Sequence, residues 1–148
     1  MNIRQFREDF DRGSFKLTVI NGVLHCDLAE VMRRVGLIPK PEHVRQVDEE
    51  TAVAILERWL WKDAAYEGER MPREKAASYA REFVSNHLAK RDRADGALVY
   101  ANVDEEPFNN DGTVTFRPCL EDSNMDGGLL IFHERGDYAA CLWFADED

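Results

Sequence analysis

The chain has 148 residues, 44% of them hydrophobic and 10% aromatic, an ordinary globular composition that excludes a disordered polymer. A chain of this length buries about 68–70% of its unfolded surface, so it needs no disulfide or metal staple to fold. Its formal net charge of −10 argues against a nucleic-acid partner, because acidic surfaces repel phosphate backbones.

Ile3, Phe6 and Phe10 are spaced for one face of a short amphipathic helix over residues 2–11, ended by Gly13. Residues 14–20 read as a strand, Asn21-Gly22 as a tight turn, and residues 23–26 as the returning strand of a hairpin. Asp27 is placed as an N-cap with Glu30 three residues later, opening a helix whose stripe is Leu28, Val31, Met32 and Val35 and whose stop is Gly36. Pro39 and Pro41 keep the following segment extended. Asp48 caps a long helix predicted to reach about Tyr66, with Glu49 and Glu50 in its first turn, where the helix dipole favours them. Trp59 and Trp61 on this helix point roughly 200° apart, so only one of them can face the core. Pro72 starts another helix, to about Lys90, with Ala76, Ala80, Phe83, Val84, His87 and Leu88 as its stripe.

Beyond Arg93 the texture changes to strands, at 97–103, 113–118, 128–134 and 138–145, with Arg135-Gly136 turning the last hairpin. The expected architecture is α+β in one domain over residues 1–148. It has an N-terminal helix and β-hairpin, a helical middle and a C-terminal antiparallel four-stranded sheet.

Several clusters carry the raw material of a site. Asp122, Asn124, Asp126 and Gly127 match the opening of a calcium loop, but the twelfth position is His133 in place of a bidentate glutamate, and a strand follows instead of a helix. Such Asn/Asp/Gly runs are also what turns between strands are made of. Asp104, Glu105, Glu106 and Asp111 flank Pro107 in an apparent loop, where carboxylates lack the rigid support that metal or acid–base catalysis requires. His25, Cys26, His133 and Cys141 show no zinc spacing along the chain. Phosphate-loop, nucleophile-elbow and Cys-x-x-Cys motifs are missing, so neither an enzymatic activity nor a cofactor is expected. Arg33, Arg34, Lys40 and Arg45 form a modest basic cluster, but the proline-rich connection is too long for a helix-turn-helix.

The distribution of charge is the strongest functional signal. Residues 1–93 hold 17 Lys/Arg against 16 Asp/Glu, a balance of +1, whereas residues 94–148 hold 2 against 13, a balance of −11. Three scattered cysteines fit a reducing compartment. Residues 1–6 lack the apolar run of a secretion signal, and no stretch approaches the ~20 apolar residues of a membrane span. A cytoplasmic protein with neither membrane nor nucleic-acid partners is therefore expected. Its acidic C-terminal sheet would bind a basic protein toxin or enzyme through Asp104, Glu105, Glu106, Asp111, Glu121, Asp122, Asp126, Asp137, Asp146 and Glu147, around Tyr138 and Trp143 as anchors. The alternative expectation is a calcium- or magnesium-dependent enzyme or sensor built on the same loops.

In size, acidity and α+β texture the chain resembles the bacterial immunity proteins that protect cells from contact-delivered polymorphic toxins. That resemblance implies inhibition of a basic, nuclease-type toxin by occupation of its phosphate-attracting cleft. It carries no diagnostic motif and transfers no individual residue.

Overall fold

Residues 127–132 and 138–144 are almost unbroken apolar runs, the pattern of strands covered on both faces as distinct from strands with one wet side. The computed structural model, which describes residues 2–10, 14–23, 25–62, 68–88, 97–102, 118–121, 126–133 and 137–145, places them at the centre of a sheet. Strand β4 (Asp126–His133) pairs antiparallel with β5 (Tyr138–Ala145), one residue to one, from Asp126 opposite Ala145 to His133 opposite Tyr138. Every β4 residue is buried, as is every β5 residue except Ala145. Outside them lie β1 (Ser14–Asn21) on β5, and β3 (Ala97–Ala101) with β2 (Arg45–Val47) on β4, giving the order β1-β5-β4-β3-β2. All four pairings are antiparallel.

The α+β reading holds, and the strand inventory is corrected. Among the described residues the sheet has five strands in place of four, and the N-terminal half contributes β1 and β2. The strand expected at 113–118 lies outside the described residues except for Pro118, which is not in a strand. The hairpin at Asn21-Gly22 does not form. Gly22 does take the left-handed conformation (φ 82°), but Val23 then drops into the core and a Cys26 N–H to Val23 C=O bond of 3.0 Å turns the chain again. The eight residues of β1 pair instead with all eight of β5, twice what a four-residue return strand could offer. The Arg34 guanidinium holds the turn by donating to the carbonyls of Asn21 and Gly22.

The helices follow their caps. Helix α1 (Ile3–Asp9) is capped by Asn2, α2 (Leu28–Arg34) by Asp27 accepting from the Glu30 N–H at 2.8 Å, and α3 (Glu49–Trp61) by Asp48 accepting from Thr51 at 2.7 Å. Helix α3 ends short of the expected Tyr66, with Lys62 leaving in an extended conformation to bridge Glu69. Helix α4 (Arg73–Leu88) follows Pro72 as anticipated.

One sheet face, formed by Val99, Ala101, Leu129, Ile131, Leu142 and Phe144, packs on α1, α3 and α4. The opposite face, formed by Leu130, Phe132, Ala139, Cys141 and Trp143, packs on α2 and Cys119. Trp59 is buried against Phe144 in a stacked pair, whereas Trp61 is half-exposed beneath the cations of Lys62 and Arg73, so the two tryptophans divide as their spacing demands. Arg70 is buried near the rings of Phe10 and Phe144 and donates to the Trp59 carbonyl, closing the C-terminal end of α3 over the aromatic cluster.

The Gly127-Gly128 pair marks the tightest packing. A Cβ on Gly128 would sit 2.0 Å from the Leu142 carbonyl oxygen, and one on Gly127 would sit 2.3 Å from the Trp59 ring. Neither the partner-strand backbone nor the buried indole has room to retreat. Gly128→Ala is expected to destabilise the protein by about 3 kcal/mol, measured as a fall in the urea midpoint, whereas Ala139→Gly on β5 should cost less.

Candidate functional site

Of the carboxylates that motivated an acidic C-terminal patch, the described residues include Glu121, Asp126 and Asp137; Asp104, Glu105, Glu106, Asp111, Asp122, Asp146 and Glu147, like Asn124, lie outside them. Glu121 is exposed and Asp137 half-buried. They belong to opposite ends of the β4–β5 ladder: Glu121 follows Leu120, whose N–H bonds Asp126 at one end, and Asp137 precedes Tyr138 at the other.

Asp126 is a correction. Its side chain is fully buried, and its carboxylate accepts from Cys119 N–H (2.8 Å), Leu120 N–H (3.2 Å) and the Trp143 indole N–H (2.8 Å). It is an internal clamp that ties the 118–121 segment to β5, with its carboxylate turned inward in place of the exposed position expected of a partner contact or of the third ligand of a calcium loop. The Asn102 side-chain amide donates to the Asp126 carbonyl at 2.7 Å and ties the end of β3 to the same point. The anchors Tyr138 and Trp143 are corrected for the same reason, since both are buried. The Tyr138 hydroxyl bonds His87 Nδ1, and its ring packs against His133.

His25, Cys26, His133 and Cys141 do not assemble. His133 is buried, and because its Nε2 meets the His87 carbonyl at 2.6 Å that nitrogen must be the donor, fixing the end of α4 to β4. Cys26 lies beside the Arg34 guanidinium at 3.7 Å. Burial pushes the Cys119 thiol up to about 12 and Cys141 higher still, which leaves both as thiols and inert as nucleophiles. Among the described residues no group of three or more His, Cys, Asp or Glu is close enough to hold a metal ion.

Among the described residues a concave surface lies elsewhere, where β2 runs into α3. Strand β2 pairs with only Val99, Tyr100 and Ala101 of β3, because the chain leaves the sheet at Asp48 to begin α3. The space left beside Ala97 and Val99 is a cavity of about 400 Å³ whose walls include Val47, Asp48, Glu49, Ser85 and Leu88. It continues into a shallower depression of about 770 Å³ between the start of α3 and the middle of α4, with Glu50, Val53 and Arg81 on its rim. Among the described residues they make a cleft with an apolar floor, the carboxylates of Asp48, Glu49 and Glu50 along one wall and Arg81 opposite. The hydrogen bonds from Thr51 hold the Asp48 carboxyl below its ordinary range, so it is charged at neutral pH. The sequence displayed this triplet openly, but capping and the helix dipole explained it fully; what sequence could not show was that Ser85 and Leu88 of α4 close the other side.

A second polar cluster joins α1 to α4. The Tyr79 hydroxyl donates to Asp9 at 2.6 Å and Lys75 pairs with Asp9 at 3.2 Å, in a hollow of about 290 Å³ that Gln5 and Glu82 also line. The Tyr79 bond is the main cause that holds the Asp9 carboxyl below its usual range, and burial together with Asp9 pushes Tyr79 up to about 12. This is a clasp between two helices.

Comparisons with protein-family models, with curated proteins and with solved structures found no match for this chain.

Two outcomes are expected from these polar sites. Asp126→Asn sets an amide N–H₂ against N–H donors and should cost about 2–3 kcal/mol in urea unfolding. At the clasp, Asp9 has a lowered pKa when folded, so its contribution is present above the unfolded carboxylate pKa and is lost as pH falls through the lowered folded value. Tyr79→Phe should therefore raise the Asp9 pKa in an NMR titration and narrow the stability gap to wild type on acidification.

Proposed function

We propose that the protein is a docking module that binds and neutralises a basic protein, a nuclease-type toxin or enzyme being the partner whose chemistry fits best. The observation that carries this reading is the α3–α4 cleft, in which an apolar lining of Val47, Val53, Leu88 and Val99 adjoins Asp48, Glu49 and Glu50. Buried apolar anchors set how long a complex lasts, and charges at the rim set how fast it forms. A lysine- or arginine-bearing projection with one or two apolar side chains satisfies both parts of the cleft. The overall charge of −10 adds long-range attraction toward such a partner and repels nucleic acid that would compete for it. A partner that attracts phosphate to its own active cleft must be basic there, which makes an acidic protein an inhibitor by occupation, without chemistry. On this reading the protein works in the cytoplasm beside the toxin's target, in the manner of an immunity protein. The metal-dependent alternative loses ground because Asp126, one of its three proposed oxygen ligands, is fully buried and accepts three internal hydrogen bonds.

Affinity capture from the native cell followed by mass spectrometry should recover a strongly basic protein at equal stoichiometry. With that partner in hand, Glu49→Lys combined with Glu50→Lys should slow association about tenfold at low ionic strength and flatten its dependence on salt. Asp48 is left intact in this variant because it caps α3. Val53→Asp should instead shorten the lifetime of the complex. Recovery of an acidic partner, or association rates indifferent to both salt and these residues, would sink the proposal.

A further inference from the structure

The two edges of the sheet are built differently. Strand β2 is three residues long, follows the proline-bearing segment and begins at Arg45, so it offers little to an incoming strand. Strand β1 is eight residues long and pairs with β5 without a bulge, leaving its other side without a strand among the described residues. Alternate residues of an edge strand turn their N–H and C=O groups outward, where they form a template for another strand. The devices that usually block such pairing are missing from β1. It contains no proline, and its single charge, Lys16, leans toward α2, with its ammonium 2.0 Å from where a Cβ on Gly36 would stand. Val19, at 47%, is the more exposed of the two large hydrophobics that stand out among the described residues.

We propose that two copies of this chain associate through their β1 strands, antiparallel, into one continuous ten-stranded sheet. The residues of β1 argue for a second copy as the occupant. A two-fold axis relating two antiparallel edges stands perpendicular to the sheet, and residues directly opposite one another then share a face. Phe15, Leu17, Val19 and Asn21 lie on the α3–α4 face, opposite Phe144, Leu142, Ala140 and Tyr138; Lys16, Thr18 and Ile20 lie on the α2 face. The axis must therefore pass a residue and not the gap between two. Centred on Thr18, it sets threonine against threonine, each Leu17 against the other copy's Val19, and each Lys16 against an isoleucine. Every exposed apolar side chain of the edge gains a neighbour and no like charges meet. Strand β1 holds no carboxylate, so in a chain of net charge −10 this edge brings two copies together without opposing acids across the new ladder. The acidic cleft lies at the other end of the sheet, past β2, so both clefts stay open in the pair.

Sedimentation velocity on the full chain across a concentration series should show a monomer–dimer equilibrium. Val19→Lys, at an exposed position, should weaken self-association by about tenfold or more while leaving the circular dichroism spectrum and unfolding midpoint unchanged. Thr18→Cys should form an intermolecular disulfide under mild oxidation, absent from wild type treated alike. A wild type that stays monomeric at millimolar concentration overturns the proposal. So does a dimer that survives Val19→Lys, or one in which position 18 does not cross-link. These readouts need no binding partner, so they stand or fall separately from the docking function.

Discussion

Two strands that must be hidden on both faces govern this molecule. The β4–β5 ladder brings bulky side chains to each side of the sheet: Leu129, Ile131, Leu142 and Phe144 on one, Leu130, Phe132, Cys141 and Trp143 on the other. Neither set can face water, so the chain needs a helical layer on each side. The larger layer, α3 and α4 with α1, supplies Trp59, Leu60 and Phe83; the smaller, α2 with the 118–121 segment, supplies Met32, Val35 and Cys119. The buried Asp126 carboxylate makes the smaller layer possible, because it satisfies two backbone N–H groups of that segment and the indole of Trp143 from one position.

The cleft is a by-product of that covering. Helix α3 must begin close to the sheet to lay Ile55, Leu56 and Trp59 over it, so β2 is cut to three residues. The uncovered end of β3 becomes the floor, and the first turn of α3 becomes the wall. Acidic residues in that turn stabilise the helix through its dipole whether or not anything binds. The same dipole offsets part of their pull on a cation. Arg81 across the cleft also tempers the charge.

Local chemistry was legible where it acts over a few residues. Asp27 and Asp48 cap α2 and α3 as their side chains require, Gly36 ends α2 with φ 90°, and the opposed directions of Trp59 and Trp61 separate a core residue from a half-exposed one. The same logic misled at Asn21-Gly22. Its turn chemistry is real and Gly22 adopts the left-handed conformation, yet turn residues reverse a chain without choosing its strand partner. Surface charge was misread in a similar way at Asp126, whose sequence context of Asp, Asn and Gly is the same for a solvated turn and for a buried clamp.

The sequence alone determined the class, the caps, the central apolar strands and the acidic balance, because each depends on composition or on spacing within a few turns of chain. Only the tertiary structure decided that β1 crosses to β5, that Asp126, Tyr138 and Trp143 turn inward, and that Glu49 and Leu88 share a cleft. Those outcomes rest on contacts between residues far apart in the chain. They are settled by which pairing buries the most apolar surface and satisfies the most hydrogen bonds at once, a competition that no local pattern records.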